Sequence, residues 1–173
     1  MFLKFLKENV YASYVLTVLR LYVGWKWLDA GWGKTTQGNF DATGFLKGAL
    51  SKATGENPAV QSWWAGFLKG FAIPNNDLFN ILIPWGELFV GLGLIFGTFT
   101  TLAALMGAVM NFSYMFSGSI STNPQMVLVE VLILVAGFNA AKIGLDRWLI
   151  PYITNRFTPK KDQRESSLQS SAP

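Results

Sequence analysis

Apolar side chains dominate four stretches of the chain, residues 10–31, 78–98, 100–117 and 124–145. Each approaches the length of about 20 helical residues that crosses a hydrocarbon core about 30 Å thick. The pattern predicts four spanning helices. The second and third meet at Gly97-Thr98-Phe99-Thr100 with neither charge nor proline between them, so their hairpin must be tight. One continuous helix would be roughly twice as long as the bilayer is thick. Between the first and second stretches the pattern changes. Phe40, Phe45, Leu46, Ala49 and Leu50 recur at near-helical spacing, and so do Trp63, Trp64, Phe67, Leu68 and Phe71. Two short amphipathic helices are expected there, separated by a turn at 54–58 and ended by Ile73-Pro74-Asn75-Asn76. Their glycines, lysines and paired tryptophans suit a cap at headgroup level.

The expected fold class is an all-α integral membrane protein, a four-transmembrane-helix bundle with amphipathic helices in the long loop between helices 1 and 2. Residues 1–9 read as a cytoplasmic amphipathic N-terminus and 10–147 as the membrane domain, with 32–77 as its extracytoplasmic cap. Residues 148–173 read as a cytoplasmic tail, polar and disordered from about 158. Lys4 and Lys7 precede the first stretch, and six of the fourteen Lys/Arg lie from Lys142 to Arg164. That bias places both termini in the cytoplasm of a multi-pass protein of the cell membrane, against Lys34, Lys47, Lys52 and Lys69 in the first loop. The N-terminus does not read as a signal peptide, because Arg20 interrupts a long apolar run that has no small-residue cleavage site.

Composition agrees: 51% of residues are hydrophobic and 14% charged, too little polar surface for an ordinary soluble domain. With no cysteine and no histidine, the chain by itself holds no thiol chemistry, histidine-ligated haem or Cys/His metal site. The net charge of +4 is explained by topology, so membrane lipids rather than nucleic acid are the expected surroundings.

Against this background the ionisable residues in the apolar stretches carry the candidate chemistry. A charge at the centre of a lone spanning helix costs roughly 2.5–3.5 kcal/mol on insertion scales and marks a partner, a ligand or a cavity. Arg20 is read either as tying the bundle together through Glu87 or Glu130, or as sharing its donors with a ligand oxygen. Glu87, with a side chain too short to snorkel, is paired or protonated and lies at a depth that permits contact with Arg20. Glu130 is expected near Lys26 and Asp29, which are themselves read as a pair near the outer headgroups or as part of a ligand site. Lys34 is read as solvated. The run from Trp25 to Lys34, with Trp27 and Trp32, has the density of rings that holds a flat amphipathic molecule, and Tyr114 stands where it would border one. Asn111 and Asn139 read as interhelical hydrogen bonders. Gly86, Val90, Gly93 and Gly97 form a small-residue stripe for close helix packing, within the chain or against another subunit.

Leu19-Arg20-Leu21, Gly24 and Trp27-Leu28-Asp29-Ala30-Gly31-Trp32-Gly33-Lys34 resemble the opening of the DoxX/DoxD membrane-protein superfamily. Pro84-Trp85-Gly86-Glu87-Leu88, the glycine-rich run to Gly97 and Gly144-Leu145-Asp146-Arg147 resemble its second and fourth helices, while Asn139-Ala140-Ala141-Lys142 departs from a glycine-rich turn common there. The tryptophan-rich run and long first loop look more like the DoxD branch. That resemblance implies a subunit of thiosulfate:quinone oxidoreductase type, with quinone as the cofactor and a small redox partner subunit; a homodimer, packed through the glycine stripe, is the other expected assembly. Arg20, Glu87 and Glu130 would then be catalytic, and Trp27, Lys26, Asp29, Trp32, Lys34 and Tyr114 would bind substrate or quinone. The alternative is a non-catalytic assembly or scaffold subunit of a redox or respiratory complex; a small-molecule or ion carrier is a third reading.

Overall fold

The computed structural model describes residues 1–157. Among them it is all helical: α1 (Phe2–Glu8), α2 (Val10–Gln37), α3 (Thr43–Ser51), α4 (Ser62–Phe67) continued by a π-helical turn (Leu68–Ala72), α5 (Asn76–Phe96), α6 (Thr100–Phe116), α7 (Asn123–Ala136), α8 (Phe138–Ala141) and α9 (Asp146–Phe157). Asn9 separates the first two helices, and its side chain accepts hydrogen bonds from the Tyr11 and Ala12 amides to start α2.

Glycine sets the central contact. A Cβ at Gly31 would lie 2.5 Å from the Leu88 nitrogen, and one at Gly91 would lie 2.5 Å from the Leu28 nitrogen. α2 and α5 therefore run antiparallel almost backbone to backbone, with Gly31 level with Leu88, Leu28 with Gly91, and Gly24 with Ile95. This register decides which side chains meet.

The hairpin between α5 and α6 is as tight as its sequence requires. Gly97 and Phe99 both adopt left-handed backbone, and the Thr98 amide bonds back to the Gly93 carbonyl at 2.9 Å. Asp146, fully buried, completes this corner. Its carboxylate accepts from the Phe99 and Thr100 amides at 2.7 and 2.8 Å, capping α6 from the far end of the sequence. Arg20 lies against Gly97 and Gly144, which have no side chains to exclude it, and donates to the carbonyls of Ala140 and Ile143. The small-residue stripe is spent within the chain: Gly93 meets Ala103, and Gly97 meets Gly144 and Arg20.

The cap follows the expected two-helix pattern. Leu46, Ala49, Val60, Leu68 and Ala72 form a small buried core beneath it. Four hydrogen bonds fasten it to the bundle: Ala42 N–H to Asn80 Oδ1 at 2.8 Å, Asn76 Nδ2 to Asp41 Oδ1 at 3.0 Å, Lys52 Nζ to the Gly118 carbonyl at 3.0 Å, and Trp64 Nε1 to Ser117 Oγ at 2.9 Å.

Span lengths differ from the expectation. Among the described residues α5, with 21 residues, is the one helix long and apolar enough to cross a membrane. α6 and α7 are apolar but have 17 and 14 residues, and α2 is long enough but carries Arg20, Lys26, Asp29 and Lys34. The fourth apolar stretch does not continue to Leu145, because Gly137 (φ 57°, ψ −128°) breaks the helix after Ala136. The expected disordered tail lies outside the described residues.

Candidate functional site

Two buried polar groups sit side by side in the half of the bundle beneath the cap. The first centres on Glu87, 2% exposed, whose place on α5 opposite Gly31 turns its side chain toward α2 and α6. Lys34 Nζ lies 2.6 Å from one carboxylate oxygen, and the Tyr114 hydroxyl donates to the other at 2.6 Å. The Lys34 side chain remains 30% exposed, so the ammonium keeps part of its hydration while the carboxylate gives up nearly all of its own. Two short hydrogen bonds, one from a cation, offset that loss.

The second group centres on Glu130, which has no exposure. Trp27 Nε1 donates to it at 2.8 Å, and the Asn111 amide reaches both oxygens at 3.1 and 2.9 Å. Gly107 makes room, since a Cβ there would fall 2.5 Å from Glu130 Oε1 and 3.0 Å from Trp27 Nε1. The Trp27 and Tyr114 rings join the two groups, with centroids 6.4 Å apart.

Tyr114 also belongs to the wall of a cavity of about 350 Å³ between α5, α6 and the cap. Phe45, Trp64, Phe79, Gly86, Met110 and Ser113 line it with Tyr114, and the Phe45 ring stands edge-on to the tyrosine at 5.7 Å. The shape is that of a small-molecule site: apolar and aromatic walls, with a few convergent polar atoms at one place. Among the described residues no cluster of Asp and Glu is arranged to hold a metal ion.

The nine residues singled out from the sequence therefore separate. Glu87, Lys34, Tyr114, Trp27 and Glu130 come together. Arg20 does not join them: its hydrogen bonds go to backbone carbonyls at the hairpin end, and the buried apolar side chains of Val23, Leu94 and Ala104 belong to the core between. Its expected pairing with Glu87 or Glu130 fails because α2 and α5 are in a register that puts Gly31, not Arg20, level with Glu87. Lys26, Asp29 and Trp32 lie exposed on the outer face of α2, away from Glu130. Lys34, read as solvated, instead reaches inward to the buried carboxylate.

Four residues of the structure carried little signal in the sequence. Phe45 and Trp64 come from the cap, whose docking no local pattern reveals, and Asp146 acts only because the chain folds back onto a hairpin nearly fifty residues earlier. Gly107 was one small residue among many in an apolar helix.

Comparison with protein families finds a match for the family described as DoxX over residues 15–119, more than half of the chain, from the first part of α2 to just beyond α6. Comparisons with curated proteins and with solved structures return no match. The matched segment contains Trp27, Lys34, Glu87 and Tyr114 and the whole lining of the cavity, but not Glu130.

Proposed function

The chain belongs to the DoxX family, a membrane-associated family, and from that premise we propose that it is a multi-pass, quinone-interacting oxidoreductase subunit of thiosulfate:quinone type. The observation that carries the reading is the Tyr114 hydroxyl. Tyr114 lines a mostly apolar cavity together with Ser113 and Ser117, and its hydroxyl is bonded to a carboxylate that is itself paired with a lysine.

In this reading α2, α5, α6 and the α7–α8 segment cross the bilayer as a bundle, with the cap on the extracytoplasmic side and both termini in the cytoplasm. The lysine bias of the flanks supports that orientation. The cavity walls fit a flat, mostly apolar ring: Phe45, Trp64 and Phe79 supply aromatic surface, and Gly86 leaves space. A bound quinone supplies the capacity to accept two electrons and two protons. Tyr114 orients the ring by turning its hydroxyl donor from Glu87 to an oxygen at the ring's edge, and the Glu87 carboxylate beside it is placed to pass on a proton. Lys34, the partly exposed cation of the group, offers the positive charge that draws an anion such as thiosulfate to the loop side. Joining two thiosulfates into tetrathionate releases the two electrons needed.

The test uses the purified protein in lipid nanodiscs with menaquinone or ubiquinone, following quinone reduction spectrally after thiosulfate is added. Wild type is expected to retain and reduce quinone. Glu87→Gln is expected to slow reduction about 10²-fold, the typical contribution of a positioned acid–base group, while retaining the quinone. A wild-type protein that neither retains nor reduces quinone contradicts the proposal. Proper folding with no turnover would favour the second reading, a non-catalytic assembly subunit, for which Arg20 and Glu130 offer support because both are consumed in bonds within the bundle.

A further inference from the structure

The cavity beneath the cap adjoins a second space. A Cβ at Gly86 would meet the Met110 sulfur at 3.3 Å and one at Gly93 would meet the Ala103 Cβ at 2.9 Å, so α5 and α6 pair antiparallel from the cavity to their hairpin. In the crease between them lies a groove of about 440 Å³ that shares Phe89, Val90 and Met106 with the cavity wall. It continues past Gly93 and Ala103 to Thr98 and Phe99 at the hairpin. From Tyr114 to Leu102 the combined path follows α6 for twelve residues, about 18 Å.

The two spaces differ in chemistry. The cavity carries the Tyr114 hydroxyl together with Ser113 and Ser117, whereas the groove is lined by no charged side chain and by a single hydroxyl, that of Thr98 at its far end. Phe89, Phe96, Phe99 and Leu102 stand exposed along it, and Gly93 and Ala103 add little bulk between them, so the groove lies open on the outer face of the bundle. Cavity and groove together form a recess with one polar end and one apolar arm. A ligand that fills both has a polar head and an apolar chain.

We propose that the groove between α5 and α6 seats the isoprenoid tail of the quinone, with the head against Tyr114 and the tail passing Phe89, Val90 and Met106 toward Thr98. This inference rests on the quinone reading of the cavity. The occupant is that tail rather than the acyl chain of a bilayer phospholipid for two reasons: the groove shares three wall residues with the head's cavity, and it offers a phosphate headgroup no cation. Burial of apolar surface supplies the affinity, and the flexible Met106 thioether and the phenylalanine rings suit a bending, branched chain. The quinone then enters sideways from the bilayer between α5 and α6, and the cap need not open to admit it.

The test measures, in nanodiscs of one lipid composition, the specific binding of tritiated ubiquinone-0, which is the head alone, and of tritiated ubiquinone-2, which adds two isoprene units. Leu92→Trp and Leu102→Trp fill the groove from its two walls without altering the cavity lining, and Leu105→Trp, exposed on α6 and lining neither space, is the control. Leu102 is exposed and Leu92 half-buried, so both positions tolerate the larger ring. Each groove variant is expected to weaken ubiquinone-2 roughly 10-fold, the equivalent of about two methylenes left unburied, while ubiquinone-0 binds as in wild type and the control changes neither. Because each quinone partitions into the same bilayer in every sample, the ratio between proteins reports the groove itself. If wild type binds quinone but ubiquinone-2 is unaffected in either groove variant, or both quinones weaken equally, or Leu105→Trp causes the same loss, the tail site is overturned and the head site stands. A wild type that binds neither quinone overturns the reading of the cavity and the tail site with it.

Discussion

At the scale of single residues, the two buried glutamates differ in what surrounds them. Glu87 meets a cation and a phenol at the cavity, whereas Glu130 meets an indole and an amide and touches no cavity wall. Glu130→Gln keeps an oxygen for Trp27 and is expected to fold and retain ligand. Glu130→Leu strands the Trp27 and Asn111 donors and should cost about 1–3 kcal/mol for each one left unpaired, read as a loss of thermal stability in nanodiscs. Equal stability of the two variants would contradict the assignment of Glu130 to the structural core. Lys34→Met should cost about 3–5 kcal/mol by leaving a buried carboxylate without its cation, and Lys34→Gln, which keeps a donor, less. Urea-free thermal melts of both variants check that order. The sequence shows why Glu87 and Glu130 demand partners, since apolar neighbours surround both. It does not show which partners: Lys34, fourteen residues beyond Arg20, is well placed only once the glycine contacts fix the register, and that register is a property of two helices rather than of either residue.

At the scale of elements, those glycines are the most sensitive positions. Gly31→Val and Gly91→Val would drive side-chain atoms into the facing backbone, and each is expected to destabilise by about 1–3 kcal/mol or more. Gly33→Ala, with open space around it, should be nearly silent. Thermal unfolding of the three variants tests the contact directly. The cap has its own pH response. Thr43, through its side chain and then its backbone N–H, and the Asn76 amide hold the exposed Asp41 carboxyl below the ordinary carboxylate range. Its contribution to cap docking is therefore complete above the unfolded carboxylate value of about 3.9, and is lost as pH falls through the lower folded value. Tryptophan fluorescence of the cap should follow that loss, and Asp41→Asn should remove it; the same acid transition in that variant would contradict the role. The helices themselves were legible, including the two in the cap and the tight hairpin, because each has its own apolar period or turn residues. The shortening of the last apolar stretch was not legible, since a single glycine inside such a stretch is compatible with a helix and breaks it here by adopting positive φ.

At the scale of the whole molecule, the chain separates a tightly locked end from one that holds a cavity. Arg20, Asp146 and the hairpin glycines lock the end opposite the cap, and Glu87, Lys34 and Tyr114 meet the cavity beneath it. All-helical architecture followed from composition and periodicity, but the division of labour did not. It depends on which charges the antiparallel α2–α5 contact brings to the same depth, and on a cap that folds back over α5 and α6 from the intervening loop. The most direct test of the account is photolabelling with an azido-quinone in nanodiscs, followed by peptide mapping. The account predicts label on the cavity segments of α5 and α6, between Phe79 and Val90 and between Met106 and Ser117, displaced by excess unlabelled quinone and reduced in Tyr114→Phe. Label confined to the lipid-facing surface, insensitive to competitor and unchanged in that variant, would contradict it.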